Sequence, residues 1–131
     1  MFLTKCGRPT DVNLIAKVIQ EYIDGYIAPG IYNLQNDGIV ISKYNLAKFV
    51  RKTLDSHKHI SFITTNLLTN AKAKRQLNSY LCCLKLDYER GKKRENWQFA
   101  VRNYLKQLYP DKFNKTKKEG FFTKLWKKLH I

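Results

Sequence analysis

The pentapeptide Arg90-Gly91-Lys92-Lys93-Arg94 sets four cationic side chains around one glycine, and Lys72, Lys74, Arg75, Asn78 and Ser79 lie a short way upstream. Guanidinium and ammonium groups pair with phosphate oxygens, Arg forks onto guanine and Asn onto adenine. Residues of these types make a nucleic acid the first partner to test. Catalytic chemistry has less to draw on. His57 and His59 are separated by one residue, with Cys6, Cys82 and Cys83 distant from them, which is not the close paired spacing of a zinc site. The glycines stand alone, so no phosphate-cradling loop is present. Asp87, Glu89 and Glu95 surround the pentapeptide, where they equally serve as cross-strand partners of its Lys and Arg. A protein with no catalytic residues, no metal and no cofactor is expected, hence not an enzyme.

Periodicity supplies the elements that would carry these groups. Ile60, Ile63, Leu67 and Leu68 fall on one face of a short helix, and Thr69-Asn70 interrupts it and caps the next. That next helix runs from about Ala71 to Leu84. Its apolar stripe is Ala73, Leu77, Tyr80, Leu81 and Leu84, which turns Arg75, Asn78, Ser79 and Cys82 to the opposite face and leaves Lys72 and Lys74 on the flanks. From Leu84 the period becomes alternating: Leu84, Leu86, Tyr88, then Trp97, Phe99, Val101. Two strands are predicted, with the basic pentapeptide at the hairpin tip. The competing reading makes residues 64 to 90 one long surface helix with a solvated charged end.

The order helix, helix, basic hairpin resembles the winged helix-turn-helix domain. With the preceding helix, which takes Ser42 as N-cap and Leu46, Ala47, Phe49, Val50 and Leu54 as its buried stripe, the resemblance covers roughly residues 42 to 101. It implies that the helix from Ala71 to Leu84 enters the major groove and that Arg90 to Arg94, as the wing, contact backbone or minor groove. The expected fold class is mainly α with a small β-hairpin (α+β), a winged helix-like core with extra N-terminal and C-terminal helices.

The chain has 131 residues and is 44% hydrophobic, which suits one domain with a real core, predicted over residues 1–113. Its N-terminal helix, residues 10–26, starts at Thr10 or Asp11. Val12, Ile15, Val18, Ile19, Tyr22, Ile23 and Tyr26 give it a broad apolar face for the core or for a homodimer, and Gly25 and Ala28-Pro29-Gly30 stop it. Asn36-Asp37-Gly38 reads as a turn before Ile39-Val40-Ile41. Val101, Tyr104, Leu105 and Leu108 make a helix that Pro110 ends. Residues 114–131 form a basic linker and an amphipathic helix, with Phe121, Phe122, Leu125, Trp126 and Leu129 on one arc and Lys124, Lys127 and Lys128 on the other. That composition suits the chain's own domain, an anionic membrane surface or a protein groove.

Charge sharpens the partner. The net charge is +15, yet residues 1 to 40 hold Lys5, Arg8 and Lys17 against Asp11, Glu21, Asp24 and Asp37, so the excess lies wholly beyond them. A charge this large repels itself, and an anionic partner offsets that cost. With no signal peptide or transmembrane run and an odd number of cysteines, a reduced cytoplasmic setting is expected. The reading is a small cytoplasmic binder of double-stranded DNA, acting in transcription, replication or partition of a mobile or viral element. Membrane or protein interaction through the C-terminal helix, and RNA binding, are the alternatives.

Overall fold

In a computed structural model that describes residues 5–61 and 76–114, the first helix begins at the second of the two candidate caps. Asp11 has extended backbone and its carboxylate accepts from the Asn13 amide at 3.1 Å, opening α1 (Val12–Ile23). Gly25, at φ +81°, carries the chain out of the helix. Leu14 is the buried residue of α1, whereas Val12, Ile19 and Ile23 are each more than half exposed. The broad apolar face therefore remains mostly open in this structure.

Two very short strands follow from the backbone rather than from side-chain patterning. β1 (Cys6–Gly7) pairs antiparallel with β2 (Ile41–Ser42), Cys6 opposite Ser42 and Gly7 opposite Ile41. Ser42 ends the strand and caps α2 (Lys43–Thr53), its hydroxyl accepting from the Asn45 amide at 3.2 Å. At the far end the amides of Asp55 and Ser56 bond the carbonyls of Lys52 and Arg51, with Asp55 in the left-handed region at φ 48°. This is the Schellman pattern.

The predicted hairpin is replaced by two helices, α3 (Leu84–Arg90) and α4 (Trp97–Leu108). In α3, Leu86 is buried but Leu84 and Tyr88 are exposed, and the residue that joins Leu86 inside is Cys83, three positions earlier. In α4, Trp97, Ala100 and Leu105 are buried while Phe99 is exposed. Those spacings are helical, not alternating. Asn96 caps α4 by accepting from the Gln98 amide at 2.9 Å. Gly91, at φ 64°, is the left-handed C-cap of α3, so the basic pentapeptide is a helix-to-helix turn and not a wing. α4 does end ahead of Pro110, at Leu108, and Pro110 also opens a further helical stretch: residues 110–114 are helical after a break at Tyr109.

The predicted recognition helix is likewise not formed where it is described. Residues 76–83 are non-helical, with Asn78 bridged in parallel to Cys6. Lys72, Lys74 and Arg75, the helix around Ile63 to Leu68, and the C-terminal residues Phe121, Phe122, Lys124, Leu125, Trp126, Lys127, Lys128 and Leu129 lie outside the described residues. A winged helix-like core is thus overturned. The described core gathers Leu14, Ile27, Cys83, Leu86, Trp97, Ala100 and Leu105, with α2 packed against α4. Phe49 of α2 meets Trp97 edge to face, ring centroids 5.2 Å apart. Gly38, at φ 112°, lets the chain pass this Trp: a Cβ there would lie 2.9 Å from Trp97 Cδ1. The indole Nε1 then donates to the Ile39 carbonyl at 2.9 Å.

Candidate ligand-binding site

β1 is held on both edges. On one side lies β2; on the other the Cys6 amide donates to the Leu77 carbonyl at 2.7 Å, and the Ser79 amide donates to the Cys6 carbonyl at 2.9 Å. Gly7 suits this closeness: a Cβ there would fall on Ser79 Oγ and turn that hydroxyl away from the Cys6 carbonyl. A buried carboxamide keeps the third segment in place: Gln35 Nε2 donates to the Ser79 carbonyl at 2.8 Å and its Oε1 accepts from the Leu81 amide at 3.0 Å. The side chain thereby acts as a strand neighbour would. Asn36, wholly buried, does the same between loops, accepting from the Asp11 amide at 2.7 Å and donating to the Glu95 carbonyl at 3.1 Å.

Between β1, the start of α2 and residues 76–79 lies a cavity of about 460 Å³. Lys5, Arg8 and Lys43 contribute three cations to its wall, Ser42, Gln76 and Ser79 contribute polar groups, and among the described residues no carboxylate lines it. The N-terminus of α2 opens on the same space and adds its dipole to the positive potential. Arg8 is the least satisfied of these groups. Its guanidinium stacks 4.5 Å from the Tyr80 ring centroid and approaches Asp37 at 3.9 Å, and its Nε is buried with no hydrogen-bond partner. An anion with several oxygens is the ligand this wall can bind.

The residues expected to read nucleic acid are distributed quite differently. Ser79 lines the basic cavity, with its hydroxyl donating to the Cys6 carbonyl at 3.2 Å. Asn78 is exposed and its Oδ1 accepts from the Tyr80 amide at 3.0 Å, a local turn bond. Lys93 remains exposed. Arg94 is buried beneath the 33–37 segment: Nε and Nη2 fork onto Asp87 at 2.8 and 3.1 Å, and Nη1 donates to the Gln35 carbonyl at 2.6 Å. Asp87 beside it pushes the guanidinium pKa above its ordinary value. Arg90 forks onto Glu21 at 2.6 and 3.1 Å, and Lys92 reaches the same carboxylate at 2.7 Å. Three of the four cations of the pentapeptide are therefore paired with carboxylates within the fold, two of them sharing Glu21. Lys5, Arg8, Lys43, Gln35 and Asn36 were the residues that sequence reasoning passed over. Their signal is tertiary, apart from the Gly7-Arg8-Pro9 run.

The Glu21 pair sets a pH dependence. Its carboxyl is lowered from 4.5 to about 2, chiefly by the hydrogen bond from Arg90, which outweighs the opposing effect of burial, and further by the hydrogen bond from Lys92 and the charges of both cations. A depressed folded-state pKa contributes stability that is fully present above the unfolded value and lost as pH falls through the folded one. Wild-type protein should lose up to about 2 kcal/mol between about pH 5 and pH 2 through this group, allowing for solvent screening. Urea midpoints across that range should fall more steeply for wild type than for Glu21→Gln; parallel curves would show that the pair carries no such linkage.

Comparison with known proteins overturns the nucleic-acid reading. The family model described as the RmlD substrate binding domain matches residues 1–109. Among solved structures, a dTDP-4-dehydrorhamnose reductase from Clostridium acetobutylicum ATCC 824 shares the fold, with a TM-score of 0.73 at 22% identity over 82% of this chain. The chain spans 37% of that reductase's length. No curated protein matches. Double-stranded DNA as partner, a role in transcription and the expectation of a chain unconnected with enzymes are corrected by the family match. It gives no support to RNA, an anionic membrane surface, a protein groove or a homodimer either. Among the described residues no helix is long and apolar enough to cross a membrane. The family model covers residues 1–109 of the 131, and the chain belongs to the family of RmlD substrate-binding domains.

Proposed function

We propose that this chain holds the nucleotide-sugar substrate of a reductase, its basic cavity gripping the diphosphate of a dTDP-sugar. The observation that carries the reading is the wall of Lys5, Arg8 and Lys43 at the N-terminus of α2, free of carboxylates among the described residues, with Arg8 Nε buried and lacking an acceptor. Phosphate oxygens would satisfy that donor and balance the three charges. Each element has its part: β1 fixes Arg8 at the cavity edge, the Gln35 carboxamide holds residues 79–81 opposite, and Ser42 both ends β2 and aims the helix N-terminus.

Reduction of a keto sugar requires a hydride donor, and the described residues do not fit a dinucleotide. Their one named sheet is the antiparallel pair β1–β2, and none of the four helices follows a glycine-rich turn. The N-cap of α1 is the carboxylate of Asp11, which repels a pyrophosphate. No reductive step is assigned to these residues; their role is to bind and orient.

Isothermal titration of the chain with dTDP tests the reading. Saturable binding is expected, weakened about tenfold or more in Arg8→Ala, as loss of a charge-assisted hydrogen bond implies. Lys43→Ala, at an exposed position that cannot unfold the core, should weaken it as well. Equal affinity in wild type and both variants would rule out this cavity as the site.

A further inference from the structure

A second cavity, of about 470 Å³, lies where the end of α1 and the residues after it meet the end of α3, and it shares no lining residue with the basic one. Glu21, Tyr26, Tyr88, Glu89, Arg90 and Lys92 line it. Three features define what it can accept. Tyr26 and Tyr88 are 74% and 86% exposed, so among the described residues nothing covers the two aromatic side chains that line it. The charges cancel, two carboxylates against two cations, so the cavity has no net attraction for an ion of either sign. Arg90, only 2% exposed, gives Nε and Nη2 to Glu21, while its Nη1 is buried with no hydrogen-bond partner.

A ligand that answers all three must be uncharged, offer an apolar face to an aromatic ring and carry several groups that both accept and donate hydrogen bonds. A pyranose has that chemistry: axial C–H groups on one face and hydroxyls around the rim. We infer that this cavity is a binding site for a neutral pyranose, stacked on the Tyr26 or Tyr88 ring, with hydroxyls accepting from Arg90 and Lys92 and donating to Glu89. The tyrosine ring supplies an apolar surface at low entropic cost, and the unmet guanidinium donor gains a partner. The site is independent of the diphosphate reading, since neither cavity depends on the other's residues.

Titration of the whole chain with methyl α-D-glucopyranoside, methyl α-D-mannopyranoside and methyl α-L-rhamnopyranoside, followed by tyrosine ring resonances in NMR spectra, is the test. At least one glycoside should bind saturably, with shifts confined to Tyr26 and Tyr88. Tyr88→Ala, at a position too exposed to disturb folding, should weaken that binding on the order of tenfold and leave affinity for dTDP unchanged. Absence of saturation with all three glycosides, or binding that neither Tyr26→Ala nor Tyr88→Ala alters, would overturn the proposal while leaving the diphosphate reading standing.

Discussion

Arg94→Ala is expected to destabilise the fold by about 3–5 kcal/mol, the range found when one member of a buried ion pair is removed. The guanidinium side chain is 4% exposed and its partner Asp87 14% exposed, so truncation leaves a carboxylate nearly out of water with no counter-charge. It also strips the donor from the Gln35 carbonyl, accepted at 2.6 Å. That carbonyl belongs to the residue whose carboxamide braces residues 79–81, so the damage reaches the wall of the basic cavity. Arg94→Lys should recover little, because an ammonium cannot fork onto a carboxylate and reach a carbonyl on the other side at once. Asp87→Leu combined with Arg94→Met should be milder than either single loss, since no charge is left stranded. Urea denaturation of the four proteins provides the measurement, and an alanine variant within about 1 kcal/mol of wild type would contradict the assigned pair.

Trp97→Ala should cost a similar amount, about 3–5 kcal/mol, through the lost apolar burial and the void that remains. The side chain is fully buried. It touches two parts of the chain that are distant from it in sequence: Phe49 of α2 by ring contact, and Gly38-Ile39 by close approach and by its indole hydrogen bond. Collapse into the space is hindered because Gly38 offers no side chain to fill it. Trp97→Phe separates the two contributions. It keeps most of the ring but leaves the Ile39 carbonyl unmet, which should cost about 1–3 kcal/mol. Calorimetric melting of both variants should rank them wild type, phenylalanine, alanine; an alanine variant that melts with wild type would show that Trp97 is not the centre of this core.

The basic pentapeptide shows why charge alone misled. Counted singly, its cations seek an anion; in the fold, Arg90 and Lys92 find Glu21 and Arg94 finds Asp87. Glu21 lies 69 residues before Arg90, and no periodicity in the sequence announces that they meet. The cations that line the basic cavity are Lys5, Arg8 and Lys43, and the first two sit in the part of the chain that looked least basic. Their convergence depends on a two-residue strand pairing and on a glycine that allows Ser79 to approach. Neither feature has a compositional signature.

What could be read along the chain is what is decided along the chain. Asp11 and Ser42 cap α1 and α2 by bonding amides two and three residues ahead, and such bonds need only local residues. Gly91 announced a left-handed backbone, because only glycine adopts that conformation at little cost; whether it closed a hairpin or a helix was not a local matter. The residues from Leu84 to Val101 fit a strand period and a helix period alike. The helix prevails because Cys83, Leu86, Trp97, Ala100 and Leu105 are the side chains the rest of the fold covers, and burial against distant partners outweighs the small intrinsic preferences of either backbone form.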